Sequence, residues 1–323
     1  MAVSAETSPR KLRSSSYRGN ALPSLPIRFV SETELYHHGE QSLNQTIVAM
    51  AQDFVGANNL NLLQPNGQFG TRLLGGKDSA SPRYIYTCLS PMTRLLLRVE
   101  DDALLTPQEE EGVSIEPVHF LPIIPLVLVN GAVGIGTGWS THIPNHNPLD
   151  VANRLLSRLR GISAGNALQP WYRGFTGSFR AKGEGYVARG RIEWTGEKSV
   201  RICELPVGRW TQDYKEFLCE AMQAGKLVNR FTENHTDTEV SFAVTLREED
   251  AAALRGDEEA TMKAFKLTTA MRWEWEERFS AAPPTTISST PRGIFSTIAT
   301  QTPFSTHSSN TGFLSTRSDA KPF

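Results

Sequence analysis

Polar and apolar positions alternate in two ways along the chain, and the change of period marks its elements. Leu43, Ile47, Met50 and Phe54 recur at helical spacing and predict an amphipathic helix that ends near Gly56. A connection rich in Asn, Gln and Gly follows over 58–67. Tyr84-Ile85-Tyr86-Thr87 is β-prone. Ser90-Pro91 predicts an N-cap followed by proline at the first helical position, opening a helix to about Arg98. The acidic stretch 100–116 reads as a loop, and 123–130 as a buried strand that runs into Gly131-Ala132-Val133-Gly134-Ile135-Gly136-Thr137-Gly138-Trp139. A second unit starts near Pro148 with a helix over 149–159, then β-prone runs at 174–181, 185–193 and 200–204. Thr211 is the expected N-cap of a helix over 212–224, whose Phe217, Leu218, Ala221 and Met222 form an apolar stripe. A strand over 239–246 and a short helix over 248–254 follow. The pattern is α+β, with folded units at 28–147 and 148–269. The Ser-, Arg- and Pro-rich residues 1–27 and the tail 270–323, dominated by Ser, Thr and Pro from 281, are expected to be disordered.

Composition changes this picture little. The 323 residues carry 33 Lys+Arg against 34 Asp+Glu, a formal charge of -1, so any polyanion-binding surface must come from local charge separation. Such separation exists: over 67–98, Arg72, Lys77, Arg83, Arg94 and Arg98 face Asp78 alone. Cys88, Cys203 and Cys219 are scattered and fit neither a disulfide framework nor zinc spacing. The longest apolar run, 120–129, is broken by Pro122 and Pro125 and falls short of the roughly 20 residues of a membrane span. Arg10, Lys11, Arg13 and Arg18 among serines fit a transit peptide, a nuclear signal or plain disordered filler alike.

The segment Gln68-Phe69-Gly70-Thr71-Arg72, Gly75-Gly76-Lys77-Asp78 and Arg83-Tyr84 carries the densest chemistry. Its glycines let backbone approach a ligand, and Arg72, Lys77 and Arg83 supply phosphate-pairing charge. Tyr84 is a candidate nucleophile, since a phenol needs a base or a nearby cation to act at neutral pH. Tyr86 lacks the preceding arginine. The run Gly134-x-Gly136-x-Gly138 is not followed by the Gly-Lys-Ser/Thr of a nucleotide loop. His37-His38 has no further metal ligands nearby, and His142 and His146 are expected in loops.

The strings YHHGEQSL, AQDFVGANNLNLLQPNGQFGTRLLGGKDSASPRYIYT, FLPIIPLVLVNGAVGIGTGWSTHIPNHNP, ELPVGRWTQDYKE and NHTDTEVSFAV occur in this order. Over about 28–269 the chain thereby resembles eukaryotic-type (type IIA) DNA topoisomerase II. The resemblance implies a winged-helix domain carrying the active-site tyrosine (28–147), followed by an α/β tower domain (148–269). It implies Tyr84 as the nucleophile that forms a 5′-phosphotyrosyl link with DNA, and Arg83 as a stabiliser of the transition-state charge. His38 matches a histidine beside the scissile phosphate. Tyr36, Ser42 and Lys77 match DNA-proximal positions, and Ile135 matches a wedge between base pairs; Arg72 joins them as a DNA-binding candidate on its charge alone. Double-stranded DNA is the implied substrate, a homodimer the implied assembly and the nucleus the implied location.

Bacterial gyrase A-type enzymes share this architecture, but the Gln-Phe-Gly-Thr-Arg and Ser-Pro-Arg-Tyr-Ile-Tyr contexts are eukaryotic in style. The chain departs from the family at Val133, where the motif usually has glutamate. The Mg²⁺ and ATP of the complete enzyme are bound by metal-binding (TOPRIM) and ATPase regions whose motifs are not found in this sequence. The expectation is therefore a breakage-reunion portion that needs those regions. The alternative is a non-catalytic DNA-binding winged-helix fragment or an inert truncated product.

Overall fold

The computed structural model describes residues 39–110, 112–136, 139–162, 167–183, 185–271 and 274–277. Tyr36, His38, the tail expected at 1–27 and most of the tail expected at 270–323 (272–273 and 278–323) lie outside these residues, as does the side chain of Ile135. The described residues up to Glu276 gather into one compact unit. Among the described residues no helix is long and apolar enough to cross a membrane.

The first helix, α1 (Glu40–Ala51), buries Leu43, Val48 and Ala51, with Ile47 and Met50 packed beside Leu63, Phe69 and Ile85. It ends at Ala51, earlier than the apolar spacing predicts, because Asn58 caps it: its Nδ2 donates to the carbonyls of Ala49 (2.7 Å) and Gln52 (2.9 Å). Phe54 is thereby released from the helix to meet Trp210 edge-on, with ring centroids 5.8 Å apart. The β-prone stretch at Tyr84 instead begins as a 3₁₀ turn, Pro82–Tyr84, closed by Tyr84 N–H donating to Ser81 O at 2.9 Å. Proline fixes the φ that starts the turn. Helix α2 (Pro91–Leu96) has proline at its first position as expected, but ends before Arg98, and Ser90 makes no side-chain cap bond.

The expected acidic loop is structured. A 3₁₀ turn, Val99–Leu104, leads into an antiparallel hairpin of β1 (Pro107–Glu110) and β2 (Val113–Pro117). The strand expected at 123–130 is instead a single helical turn, α3 (Leu126–Val129), started by the Pro125 carbonyl and burying Leu128 and Val129. A short apolar run has no period that separates strand from helix. The glycine-rich run forms β3 (Ala132–Gly136), paired antiparallel with β4 (Trp139–Ile143). His142 is therefore a strand residue opposite Val133, not a loop residue.

Helix α4 (Pro148–Leu159) starts as the sequence requires: the Asn147 side chain accepts from Leu149 N–H at 2.9 Å and Pro148 is the first helical residue. The run 185–193 is two strands, β6 (Gly185–Arg189) and β7 (Arg191–Trp194), divided at Gly190. A Cβ at Gly190 would lie 2.4 Å from the Glu204 carbonyl, so the close strand approach there requires glycine. β5 (Ser178–Lys182) pairs with β6, and β11 (Thr268–Met271) pairs with its other edge. A four-stranded antiparallel sheet has the order β7, β8 (Ser199–Glu204), β10 (Phe242–Leu246), β9 (Val228–Glu233). Against it lie α5 (Thr211–Gln223), α6 (Glu248–Leu254) and α7 (Glu258–Ala264). Val200, Ile202, Tyr214, Leu218, Phe242, Val244, Phe265 and Leu267 form the core between them. Burial drives the Tyr214 phenol pKa strongly upward, and its hydroxyl donates to Phe265 O at 2.8 Å. Order continues past 269 through β11 and β12 (Glu274–Glu277), because strand pairing there uses backbone bonds that side-chain pattern does not announce.

Candidate active site

Tyr84 projects from the 3₁₀ turn with 66 % of its surface exposed. The Arg83 guanidinium lies over its ring, 5.0 Å from the centroid. The turn is held firmly on its far side. Ile85 enters the core beside Val48, Ala51, Leu63 and Phe69. The backbones of Asn66 and Tyr86 then exchange hydrogen bonds of 3.1 and 3.0 Å, and Thr87 Oγ1 donates to Gln64 O at 2.8 Å. Gly67, at φ +122, passes so close that a Cβ would touch the Ile85 side chain at 3.0 Å. A phenol is thus presented to solvent on a rigid base, beside a permanent cation. That arrangement suits attack on an anionic phosphodiester.

The Gly-rich loop reaches the same turn through Ala80, whose N–H donates to Gln68 O at 2.9 Å. Asp78 closes the loop on itself, accepting from Thr71 N–H (2.8 Å) and Thr71 Oγ1 (2.5 Å). Gln52 Nε2 donates to Phe69 O (2.9 Å) and Gly76 O (3.2 Å). Lys77 is left exposed at the tip, and Ser42 is half-buried on α1.

Arg72 goes elsewhere. It is 4 % exposed, and its guanidinium pairs with Glu204 and donates to Leu205 O at 3.3 Å. The Glu204 carboxylate also accepts from Thr176 N–H, Thr176 Oγ1 and Leu205 N–H. Arg72, a DNA-binding candidate in the sequence, is thus held by the Glu204 carboxylate in the interior, whereas Lys77 of the same basic run is exposed. Ile135 stands on β3 opposite Ser140, and Val133 on the same strand is 76 % exposed.

Two polar residues that the sequence places in a connection and a loop are buried structural anchors. Asn59, 2 % exposed, donates to the carbonyls of Val129, His146 and Trp171 at 2.9–3.0 Å and accepts from Arg173 N–H at 2.9 Å. Its only sequence signal is a run of Asn and Gln that looks like linker. His146 is fully buried and its Nδ1 shares a 2.8 Å hydrogen bond with Leu128 O. Among the described residues no group of three or more His, Cys, Asp or Glu could hold a metal ion.

A family model for the A-type subunit of DNA gyrase/topoisomerase IV matches residues 27–281. The chain is 50 % identical over 244 residues to DNA topoisomerase 2 of Bombyx mori, covering 74 % of this chain and 16 % of that protein. It is 47 % identical over 246 residues to the mitochondrial DNA topoisomerase 2 of Dictyostelium discoideum, covering 76 % of this chain and 19 % of that protein. The chain thus spans under a fifth of the length of these relatives. Its fold is similar to the crystal structure of the Plasmodium falciparum topoisomerase II DNA-binding, cleavage and re-ligation domain, with a TM-score of 0.76 and 36 % identity over 85 % of this chain and 38 % of that one. Long sequence identity, a shared α+β fold and an exposed Arg-Tyr turn agree, and the chain belongs to the DNA gyrase/topoisomerase IV family of A-type subunits, in the cleavage-reunion region of type II topoisomerases.

Proposed function

We propose that this chain supplies the breakage-reunion chemistry of a type II DNA topoisomerase that changes DNA topology by double-strand passage. The observation that carries the proposal is Tyr84, exposed on an anchored turn with the Arg83 guanidinium over its ring. Tyr84 Oη attacks a backbone phosphorus. The new Oη–P bond replaces the P–O3′ bond, the phenolic proton leaves to solvent or a base, and the released 3′-oxygen takes up a proton. The 5′-phosphotyrosyl ester conserves the bond energy, so the reverse attack reseals the strand without further input. Arg83 supplies charge to the phosphorane. His38 is the proposed second donor, Tyr36, Ser42 and Lys77 the proposed backbone contacts, and Ile135 the proposed intercalating wedge.

In this reading 28–147 acts as the winged-helix breakage domain and 148–269 as the tower. The Mg²⁺ and ATP of the complete enzyme are held by other regions, the complete enzyme is a homodimer on duplex DNA, and its location is the nucleus. The mitochondrial relative makes the organelle the competing location, which imaging of the tagged chain decides.

The test places residues 28–269 in the matching stretch of a complete type II topoisomerase and traps covalent complexes with detergent on end-labelled duplex. Adducts form with Tyr84, vanish with Tyr84→Phe while duplex binding persists, and drop by two or more orders of magnitude with Arg83→Ala. Duplex binding with no Tyr84-dependent adduct supports instead a non-catalytic DNA-binding module.

A further inference from the structure

The Lys77 loop is fixed from outside its own half of the chain. Trp210, 133 residues beyond Lys77 in sequence, lies against the loop so closely that a Cβ on Gly75 would fall 2.2 Å from the indole ring. The indole also meets Phe54 edge-on and lies 3.2 Å from where a Cβ on Gly56 would be. The indole is therefore wedged between the loop and the segment that follows α1. Directly after it, the first turn of α5 makes no side-chain cap. Its orphan donors go to the loop instead: Gln212 N–H donates to Leu73 O at 3.0 Å, and Thr211 N–H lies 3.5 Å from Arg72 O. The Arg72–Glu204 pair adds a buried ionic pin one residue away. Aligned helical dipoles place positive charge at that end of α5, which favours the carbonyls it receives.

We propose that Trp210 and the first turn of α5 are positioning residues for the phosphate contact made by Lys77, holding the loop at one height and orientation so that its ammonium meets a DNA phosphate. Gly75 and Gly76, at φ +63 and +83, are then the small residues that let an indole from the other half and Gln52 from α1 close on the loop together. This inference rests on the DNA-contact reading of Lys77, and its test separates the two.

The full chain is titrated with a fluorescent duplex oligonucleotide from 50 to 200 mM salt, and log K is plotted against log salt. Each lost phosphate contact lowers the slope by about 0.9. Lys77→Ala is expected to lose that amount. Trp210→Ala is expected to lose the same amount, with no further loss when combined with Lys77→Ala, and Trp210→Phe to recover part of it. Gly75→Ala pushes the loop off the indole while leaving the core of the second half untouched, and carries the test if Trp210→Ala does not fold. A wild-type slope in folded Trp210→Ala or in Gly75→Ala, or effects that add to those of Lys77→Ala, overturn the positioning role while leaving the Lys77 contact standing. An unchanged slope in Lys77→Ala, or a chain that binds no duplex, overturns the DNA-contact reading and the inference with it.

Discussion

Removing the Glu204 carboxylate is the sharpest way to ask what joins the two halves of the fold. In the native protein Arg72 and Glu204 are 4 % and 2 % exposed, and the carboxylate accepts from the guanidinium, Thr176 N–H, Thr176 Oγ1 and Leu205 N–H. Glu204→Ala leaves a guanidinium that cannot deprotonate, with only Leu205 O at 3.3 Å as a described acceptor. Breaking a buried pair from one side costs about 3–5 kcal/mol. For a folded region of this size that lowers Tm by on the order of 10 °C. Arg72→Ala is milder by at least about 1 kcal/mol, because the carboxylate keeps three neutral donors. Arg72→Met combined with Glu204→Gln removes both charges, keeps an acceptor for Thr176 and recovers most of the loss. Urea unfolding followed by tryptophan fluorescence measures all three, with Trp210 reporting on the same interface. Glu204→Ala within about 1 kcal/mol of wild type, or a costlier Arg72→Ala, refutes the argument.

Two further outcomes are expected. Asn59→Ala removes one acceptor and the donor shared by three carbonyls, and is expected to cost about 3 kcal/mol in the same assay; a loss below about 1 kcal/mol would show that the hub is dispensable. Burial pushes the His146 imidazole below its ordinary pKa of 6.5, against a smaller upward effect from the Leu128 carbonyl. The unfolded chain keeps the ordinary value and binds a proton that the folded state resists, so this contribution is full above about pH 6.5 and falls below it, with a slope approaching about 1.4 kcal/mol per pH unit. His146→Gln is expected to flatten the stability profile below about pH 6.5, and an unflattened profile removes His146 as the source.

Local rules made much of this protein legible in advance. The start of α4 near Pro148 was readable because a proline acts within one turn of chain, and the Asn147 cap found there follows an equally local rule. The Arg83-Tyr84 juxtaposition was readable because the two residues are adjacent, and the ring and guanidinium do meet. The Asp257 cap of α7 obeys the same rule and was within reach of it, since its side chain accepts from Ala260 N–H at 2.9 Å. The order of the sequence motifs carried the family.

Tertiary structure alone decided how similar-looking residues divide. Arg72 and Lys77 stand five positions apart in one basic run, yet one is sealed in a buried ion pair and the other is exposed. The partner that makes the difference, Glu204, lies 132 residues away. Thr211 looked like a helix cap and is instead a buried first-turn residue, because the helix starts one residue earlier, with Trp210 at the N-cap and the Trp210 carbonyl accepting from Tyr214 N–H. Asn59 looked like linker and is a buried hub, because carbonyls of Val129, His146 and Trp171 converge on it. A polar side chain's role depends on which groups surround it once water is excluded, and those groups arrive from distant parts of the chain. Local sequence sets the backbone and the reactive groups on offer; the packing of the two halves decides which of them are buried and which stand exposed.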